Sequence, residues 1–241
     1  MKFLVIYNFF DNPDQPERER NVRFFLRHGL SADITCYVVL RSDTNIDFSK
    51  EYPHVRVLYL ENIGLCINGY KHALDVIDYK EYDYVMFAND SVIGPFTRTP
   101  DELWYKKFTQ YIDKGCDIVG SFETINFVCT CIFVCSKEGT RRLNEFLRET
   151  NIRNNKDALR LETVITKVVT NNIRSKSKGL CKRWDSPHVI YDSVFEKANR
   201  VGKNTSVFTR NPFRKLSTIS VEQLRNHIDM ADLQKKGQTD L

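Results

Sequence analysis

The stretch YDYVMFANDSVIGPF, residues 82–96, is apolar and rich in tyrosine and valine until Asn89-Asp90-Ser91, and it then meets Gly94-Pro95. A strand of that composition is buried, and its polar end brings three oxygen-bearing side chains to the rim of a sheet. Hard cations such as Mg²⁺ take oxygen ligands and often lean on one or two carboxylates plus substrate phosphates. Asp90, with Asn89 and Ser91 as neutral helpers, therefore has the chemistry of a metal and diphosphate ligand. Asn, Asp and Ser also close strand-end turns by bonding nearby backbone amides, so residue type alone leaves both readings open.

Three earlier apolar runs end in polar groups too: Tyr7-Asn8 followed by Asp11, Arg41-Ser42-Asp43, and Glu61-Asn62 followed by Gly64. The runs that carry them are strands at 2–8, 32–40, 54–62 and 82–89, with amphipathic helical patterns at 16–29 and 66–79 between them. A β-α-β-α-β order calls for a parallel sheet with helices on its faces, and ligands bind such sheets beyond the carboxyl ends of the strands. Four polar lips around one crevice suit a nucleotide. Topology puts Tyr7, Asn8, Arg41 and Asp43 at the nucleobase end; Tyr7 could stack on a pyrimidine or simply pack.

The second half reads as a helix at 100–115, strands at 116–123 and 127–135, and helices at 136–149 and 156–172. Ser136 has the position of an N-cap. A strand and loop follow at 178–192, and from about residue 198 the composition turns to Asn, Arg, Lys, Thr and Ser, with a terminal helix expected at 220–234. The expected organisation is one α/β domain over 1–197 and a C-terminal extension over 198–241.

With 41% hydrophobic and 28% charged residues, the chain has the balance of an ordinary soluble globular protein. Its opening run is interrupted by Asn8 and followed by acidic residues, unlike a signal peptide, and no stretch approaches the roughly 20 apolar residues of a membrane span. A cytoplasmic protein is expected, with room for peripheral membrane contact. Seven cysteines, several inside apolar runs, read as reduced core thiols rather than disulfides or a metal cluster. The three-glycine dinucleotide fingerprint and the Gly-Lys-Ser/Thr phosphate loop are both missing, which argues against dehydrogenase and kinase chemistry. A net charge of +5 without aromatic-basic interleaving gives no ground for a nucleic-acid partner.

The blocks ENIGLCINGYKHAL (61–74) and YDYVMFANDSVIGPF (82–96) resemble the donor-binding half of glycosyltransferases with the GT-A fold, a Rossmann-like, mostly parallel sheet flanked by helices. The nearer likeness is to the rhamnan-synthesis F type and to glycosyltransferases that large DNA viruses use for capsid glycans. VGSFETINFVCTCIFVCSKEG (119–139) is similar to the acceptor-side strands, and LRLETVITKVV (159–169) to the helical segment that follows them. The resemblance implies a nucleotide-sugar donor, UDP-linked first and dTDP- or UDP-rhamnose next, a glycan or glycoprotein acceptor, and Mn²⁺ or Mg²⁺ held by Asp90 and His188. Asn89, Ser91, Asn62 and Gly64 fall on donor-side positions. Glu162 would be the general base, with Glu123 and Asp117 competing for that role. The Asp-X-Asp of many such enzymes is Ala88-Asn89-Asp90 here, so one of its two carboxylates is replaced by an amide. The alternative is a nucleotide- or glycan-binding module without catalysis.

Overall fold

The residues FLVIYNF form β1 (Phe3–Phe9), and all seven are buried, because this strand lies inside a sheet covered on both faces. A computed structural model of the chain describes residues 1–12, 14–40, 46–95, 97, 102–121, 128–170, 188–189 and 195–197. After β1 come α1 (Glu17–His28), β2 (Ile34–Leu40), α2 (Phe48–Glu51), β3 (Val55–Tyr59) and α3 (Leu65–Val76). A 3₁₀ turn over Tyr79–Glu81 leads to β4 (Tyr84–Asn89) and the two-residue β5 (Val92–Ile93). Then follow α4 (Lys106–Ile112), β6 (Ile118–Gly120), β7 (Ile132–Ser136), α5 (Lys137–Glu149), α6 (Asn155–Val169) and β8 (His188–Val189).

The main sheet has the order β3-β2-β1-β4-β7-β6-β8. Strands β1 to β4 are mutually parallel, β7 is antiparallel to both β4 and β6, and β8 is parallel to β6. The carboxyl ends of β1, β2, β3, β4, β6 and β8 therefore share one edge, where β7 begins. The result is a Rossmann-like α/β sheet, mostly parallel and flanked by helices.

Two compact units divide the chain at Phe195, and all the elements above belong to the first, Met1–Phe195. The second, Glu196–Leu241, is described only over its first residues, which include β9 (Glu196–Lys197). The helix expected at 220–234 lies outside the described residues.

Strand periodicity divides the core into two layers. Phe3, Val5, Tyr7 and Phe9 face one way and pack with Val22, Phe25 and Leu26 of α1 and with Trp104 and Phe108. Leu4, Ile6, Val85 and Phe87 face the other way and pack with Tyr70 and Leu74 of α3, Leu143 of α5 and Ile165 of α6. On that second face Phe87 stacks on Phe133 at 4.9 Å, and the Tyr70 hydroxyl donates to the Thr130 carbonyl at 3.1 Å.

Helix α3 lies close against β1 at one point. An added Cβ on Gly69 would stand 2.2 Å from Asn8 Oδ1, and the Asn8 amide donates to the Cys66 carbonyl at 3.0 Å. Gly64, at φ +73°, starts the helix in the left-handed region, and a Cβ there would meet Ile152 at 2.4 Å.

Several expectations change. The strand read at 127–135 begins only at Ile132 and runs antiparallel. The 11 residues between β6 and β7 contain no described crossover helix, so the chain returns beside itself in the opposite sense. The helix read from residue 100 is described only over Lys106–Ile112, and α2, capped by Asp47, was too short to show periodicity. Ser136 does cap α5, accepting from the Gly139 N–H at 2.9 Å. Cys36, Cys66, Cys116, Cys131 and Cys135 are buried and Cys129 is half-buried; Cys181 lies outside the described residues. Among the described residues no helix is long and apolar enough to cross a membrane.

The stacked Phe87–Phe133 pair sits at the join of the parallel and antiparallel parts of the sheet. Phe87→Ala should lower the unfolding free energy by about 3–5 kcal/mol, read from urea denaturation, through lost burial and the cavity left behind.

Candidate functional site

Strand order reverses between β1 and β4, which makes the crevice beyond their carboxyl ends the topological switch point of the sheet. Asp90, the residue after β4, sits there and is 3% exposed. Its N–H continues the pairing of β4 with β1, donating to the Asn8 carbonyl at 3.1 Å. Its own carbonyl accepts from the Asn21 side-chain amide of α1 at 2.8 Å. Oδ2 accepts from the Phe10 N–H at 2.7 Å, and Oδ1 accepts from Arg18 Nη1 at 2.9 Å. Strand alternation turns Asp90 to the α1 face, together with Met86 and Ala88.

Arg18, in the first turn of α1, is 28% exposed and forms an ion pair with Asp90. The Gln15 side chain accepts from its Nε, and its guanidinium carbon lies 5.7 Å from the centre of the Phe10 ring. Arg18 was not among the sequence candidates, because PERER before an apolar helix reads as a solvated, charged first turn. The available signal was its position in the chain: the first turn after the β1 loop must open onto the switch point. Asn21, one turn later, was missed for the same reason.

The triplet itself combines both of its readings. Asn89 Oδ1 accepts from the Ser91 N–H at 3.1 Å and from its hydroxyl at 2.5 Å, an Asx turn that uses both side chains locally. Asp90 faces α1, whereas Asn89, by the alternation of the strand, faces α3. Asn62 is exposed in the β3–α3 loop, and Gly64 is buried at the start of α3. Arg41 and Asp43 lie outside the described residues.

Two expected nucleobase ligands are core residues. Tyr7 is 1% exposed, with its ring 5.2 Å from that of Phe25, so it has no face to offer a base. Among the described residues its hydroxyl has no hydrogen-bond partner. Burial first, and then the Asp90 carboxylate and Cys36, push the phenol well above its usual value. Asn8 is fully buried on the opposite side, under α3.

The expected general bases also separate. Asp117 precedes β6, at the edge of the sheet opposite Asp90. It accepts from the Ser136 hydroxyl at 2.8 Å and pairs with Arg142 at 2.7 Å. It braces the start of α5 and is far from the switch point. Glu162 lies midway along α6, in the helical layer on the α3 face, whereas the Asp90 carboxylate faces α1. Glu123 lies outside the described residues.

The backbone of His188 lies on a different strand from that of Asp90. It opens β8 opposite Val119, which is level with Val134 and so with Met86. Three strand spacings, roughly 14 Å, therefore separate the strand of His188 from that of Asp90. The donor set does not fit a divalent ion. Among the described residues Asp90 is the only carboxylate directly at the β4 end, each of its oxygens accepts a hydrogen bond, and the Asn89 oxygen is engaged with Ser91. Among the described residues no group of three His, Cys, Asp or Glu side chains could hold a metal.

No protein-family model and no curated protein matches the chain. Solved structures with a similar fold include Staphylococcus aureus TarS 1-349 in complex with UDP, 14% identical, covering 71% of this chain and 56% of that one at a TM-score of 0.45. A mannosyltransferase from Pyrobaculum calidifontis in complex with GDP-Man and Mn²⁺ is 12% identical, covering 66% of this chain and 51% of that one at a TM-score of 0.44. A 4-diphosphocytidyl-2C-methyl-D-erythritol synthase from Anaerococcus prevotii is also 12% identical, with 66% and 82% covered and a TM-score of 0.42. This chain spans about half the length of the mannosyltransferase.

Because the Tyr7 hydroxyl has no partner among the described residues, Tyr7→Phe should not lower the unfolding free energy at neutral pH by more than about 1 kcal/mol. The raised folded pKa favours the neutral phenol in the fold, so its contribution to stability is present below the unfolded value of about 10 and is lost as pH rises toward the folded value. Tyr7→Phe should therefore lose less stability than the parent between pH 8 and pH 11, measured by urea denaturation at each pH.

Proposed function

We propose that this chain is a glycosyltransferase that moves a sugar from a nucleotide-diphosphate donor to a hydroxyl of a glycan or glycoprotein. The observation that carries the reading is the charged pair at the switch point: a buried carboxylate, fixed by the backbone of the β1 exit, holds a partly exposed guanidinium where this class of sheet binds its ligands. A guanidinium suits the phosphates of such a donor. The resemblance of residues 61–96 to the donor half of GT-A enzymes points the same way. A UDP-linked sugar is the first choice of donor, and a dTDP- or UDP-linked deoxysugar such as rhamnose is the second. Gly64 and the exposed Asn62, in the loop after β3, belong to the same edge and are proposed to border the ribose side.

Transfer requires a group to take the proton from the attacking acceptor hydroxyl if the anomeric configuration inverts. With Asp117 at the far edge and Glu162 on the α3 face, Glu123 is the preferred candidate, since in sequence it comes three residues after β6, whose carboxyl end lies at the edge that carries Asp90. The scarcity of carboxylates around Asp90 among the described residues favours a second reading, a nucleotide- or glycan-binding module without turnover.

A thermal-shift screen of UDP-, dTDP- and GDP-sugars, followed by a donor hydrolysis assay, separates the two readings. A transferase should be stabilised by one donor class and should release its nucleoside diphosphate slowly in water. Stabilisation with no release or transfer from any donor would leave only the binding module. Glu123→Gln is expected to slow turnover by about 10²- to 10⁴-fold with the donor-induced melting shift preserved.

A further inference from the structure

We propose that Arg18 is the cation that meets the donor's diphosphate, standing where a divalent metal would otherwise bridge Asp90 and the phosphates, and that donor binding is metal-independent. The inference rests on the glycosyltransferase reading and concerns how that site handles charge.

Three observations carry it. First, Asp90 is 3% exposed and both of its oxygens are bonded, Oδ2 to the Phe10 N–H at 2.7 Å and Oδ1 to Arg18 Nη1 at 2.9 Å. A metal taking a remaining lone pair of the carboxylate would have to sit beside the guanidinium. It would then lie within a few ångströms of that like charge, in a region where water screens poorly. Second, the residue that would supply another anionic ligand is Asn89, whose oxygen accepts twice from Ser91. Third, Arg18 is preorganised rather than loose. Gln15 holds Nε, Asp90 holds Nη1 and the Phe10 ring lies beneath the guanidinium at 5.7 Å. Among the described residues Nη2 has no protein partner, and the side chain is 28% exposed.

A guanidinium presents a planar fork of donors that matches phosphate oxygens, and its charge persists at any physiological pH. Asp90 then has a different task from that of a metal ligand: it aims the fork and keeps it from swinging into solvent. Gln15 and Phe10 limit the remaining freedom, so little side-chain entropy is left to lose when the phosphates arrive.

Calorimetry with UDP, dTDP and GDP, each in EDTA and again in excess Mn²⁺, tests this on the full chain. At least one nucleoside diphosphate should bind with the same affinity, within about twofold, in both conditions. Arg18→Gln should weaken that binding about 10- to 100-fold, the worth of a charged hydrogen bond. Because Arg18→Gln leaves Asp90 uncompensated, Arg18→Gln/Asp90→Asn is measured beside it, with melting temperatures confirming that the paired variant folds; it should bind as weakly as the single variant. Binding that disappears in EDTA, returns with Mn²⁺ and is unaltered in Arg18→Gln would overturn the proposal and leave the glycosyltransferase reading intact. Wild-type affinity in the paired variant would also overturn it, since Arg18 would then serve only to neutralise Asp90. Failure of all three diphosphates to bind in either condition would remove the glycosyltransferase reading itself, and this proposal with it.

Discussion

Asp90 joins three pieces of chain that would otherwise end separately. Its N–H reaches the Asn8 carbonyl of β1, its carbonyl holds Asn21 of α1, and its carboxylate receives the Phe10 N–H and the Arg18 guanidinium. A buried carboxylate costs much more to desolvate than a neutral group, and it is tolerated only when its oxygens are bonded and its charge is met. Among the described residues one backbone amide and one cation serve both needs. An amide side chain at this position could accept one of these bonds, but it would turn a donor toward the other. The exit of β1, the exit of β4 and the first turn of α1 are thereby locked at one point of the sheet edge.

The rest of the sheet supplies the rigidity that this junction needs. β1 is buried on both faces, and its alternate residues commit to different helical layers, Phe3 to Phe9 toward α1 and Leu4 and Ile6 toward α3. Both faces are close-packed, so the edge can neither twist nor slide without opening one layer or the other. The antiparallel β7 adds a further stiffening element, because its start lies at the same edge and the Cys131 carbonyl accepts from the Asn89 N–H at 2.9 Å.

Much of this was legible from residue order. The apolar runs of β1, β2 and β4, the Gly stop after α1 and the Ser136 cap all declare themselves locally, since strand burial and helix capping depend on near neighbours. What was not legible depends on direction and on side. Asp117 lies beside an apolar strand just as Asp90 does, but it precedes β6 whereas Asp90 follows β4, and only strand direction shows that these are opposite edges. Tyr7 and Asn8 are consecutive on a strand, so they must point to opposite faces, and two residues so placed cannot serve one nucleobase. Arg18 was hidden by its neighbours: among Glu17, Glu19 and Arg20 a charge looks solvated, and nothing short of the fold reveals that this one is paired with a residue 72 positions away.

The contact between Asn8 and Gly69 gives β1 and α3 a single shared setting. The amide of one fills the space that any side chain on the other would take, and the same amide holds the first turn of the helix through Cys66. A helix resting on a sheet through apolar contacts alone can slip by a fraction of a turn at little cost, because one methyl group substitutes for another. This one cannot, since moving it pulls the amide off its carbonyl and drives its oxygen into backbone. The two positions therefore act as a single unit of inheritance: a change at either is tolerable only with a matching change at the other, and related chains should vary there together or not at all.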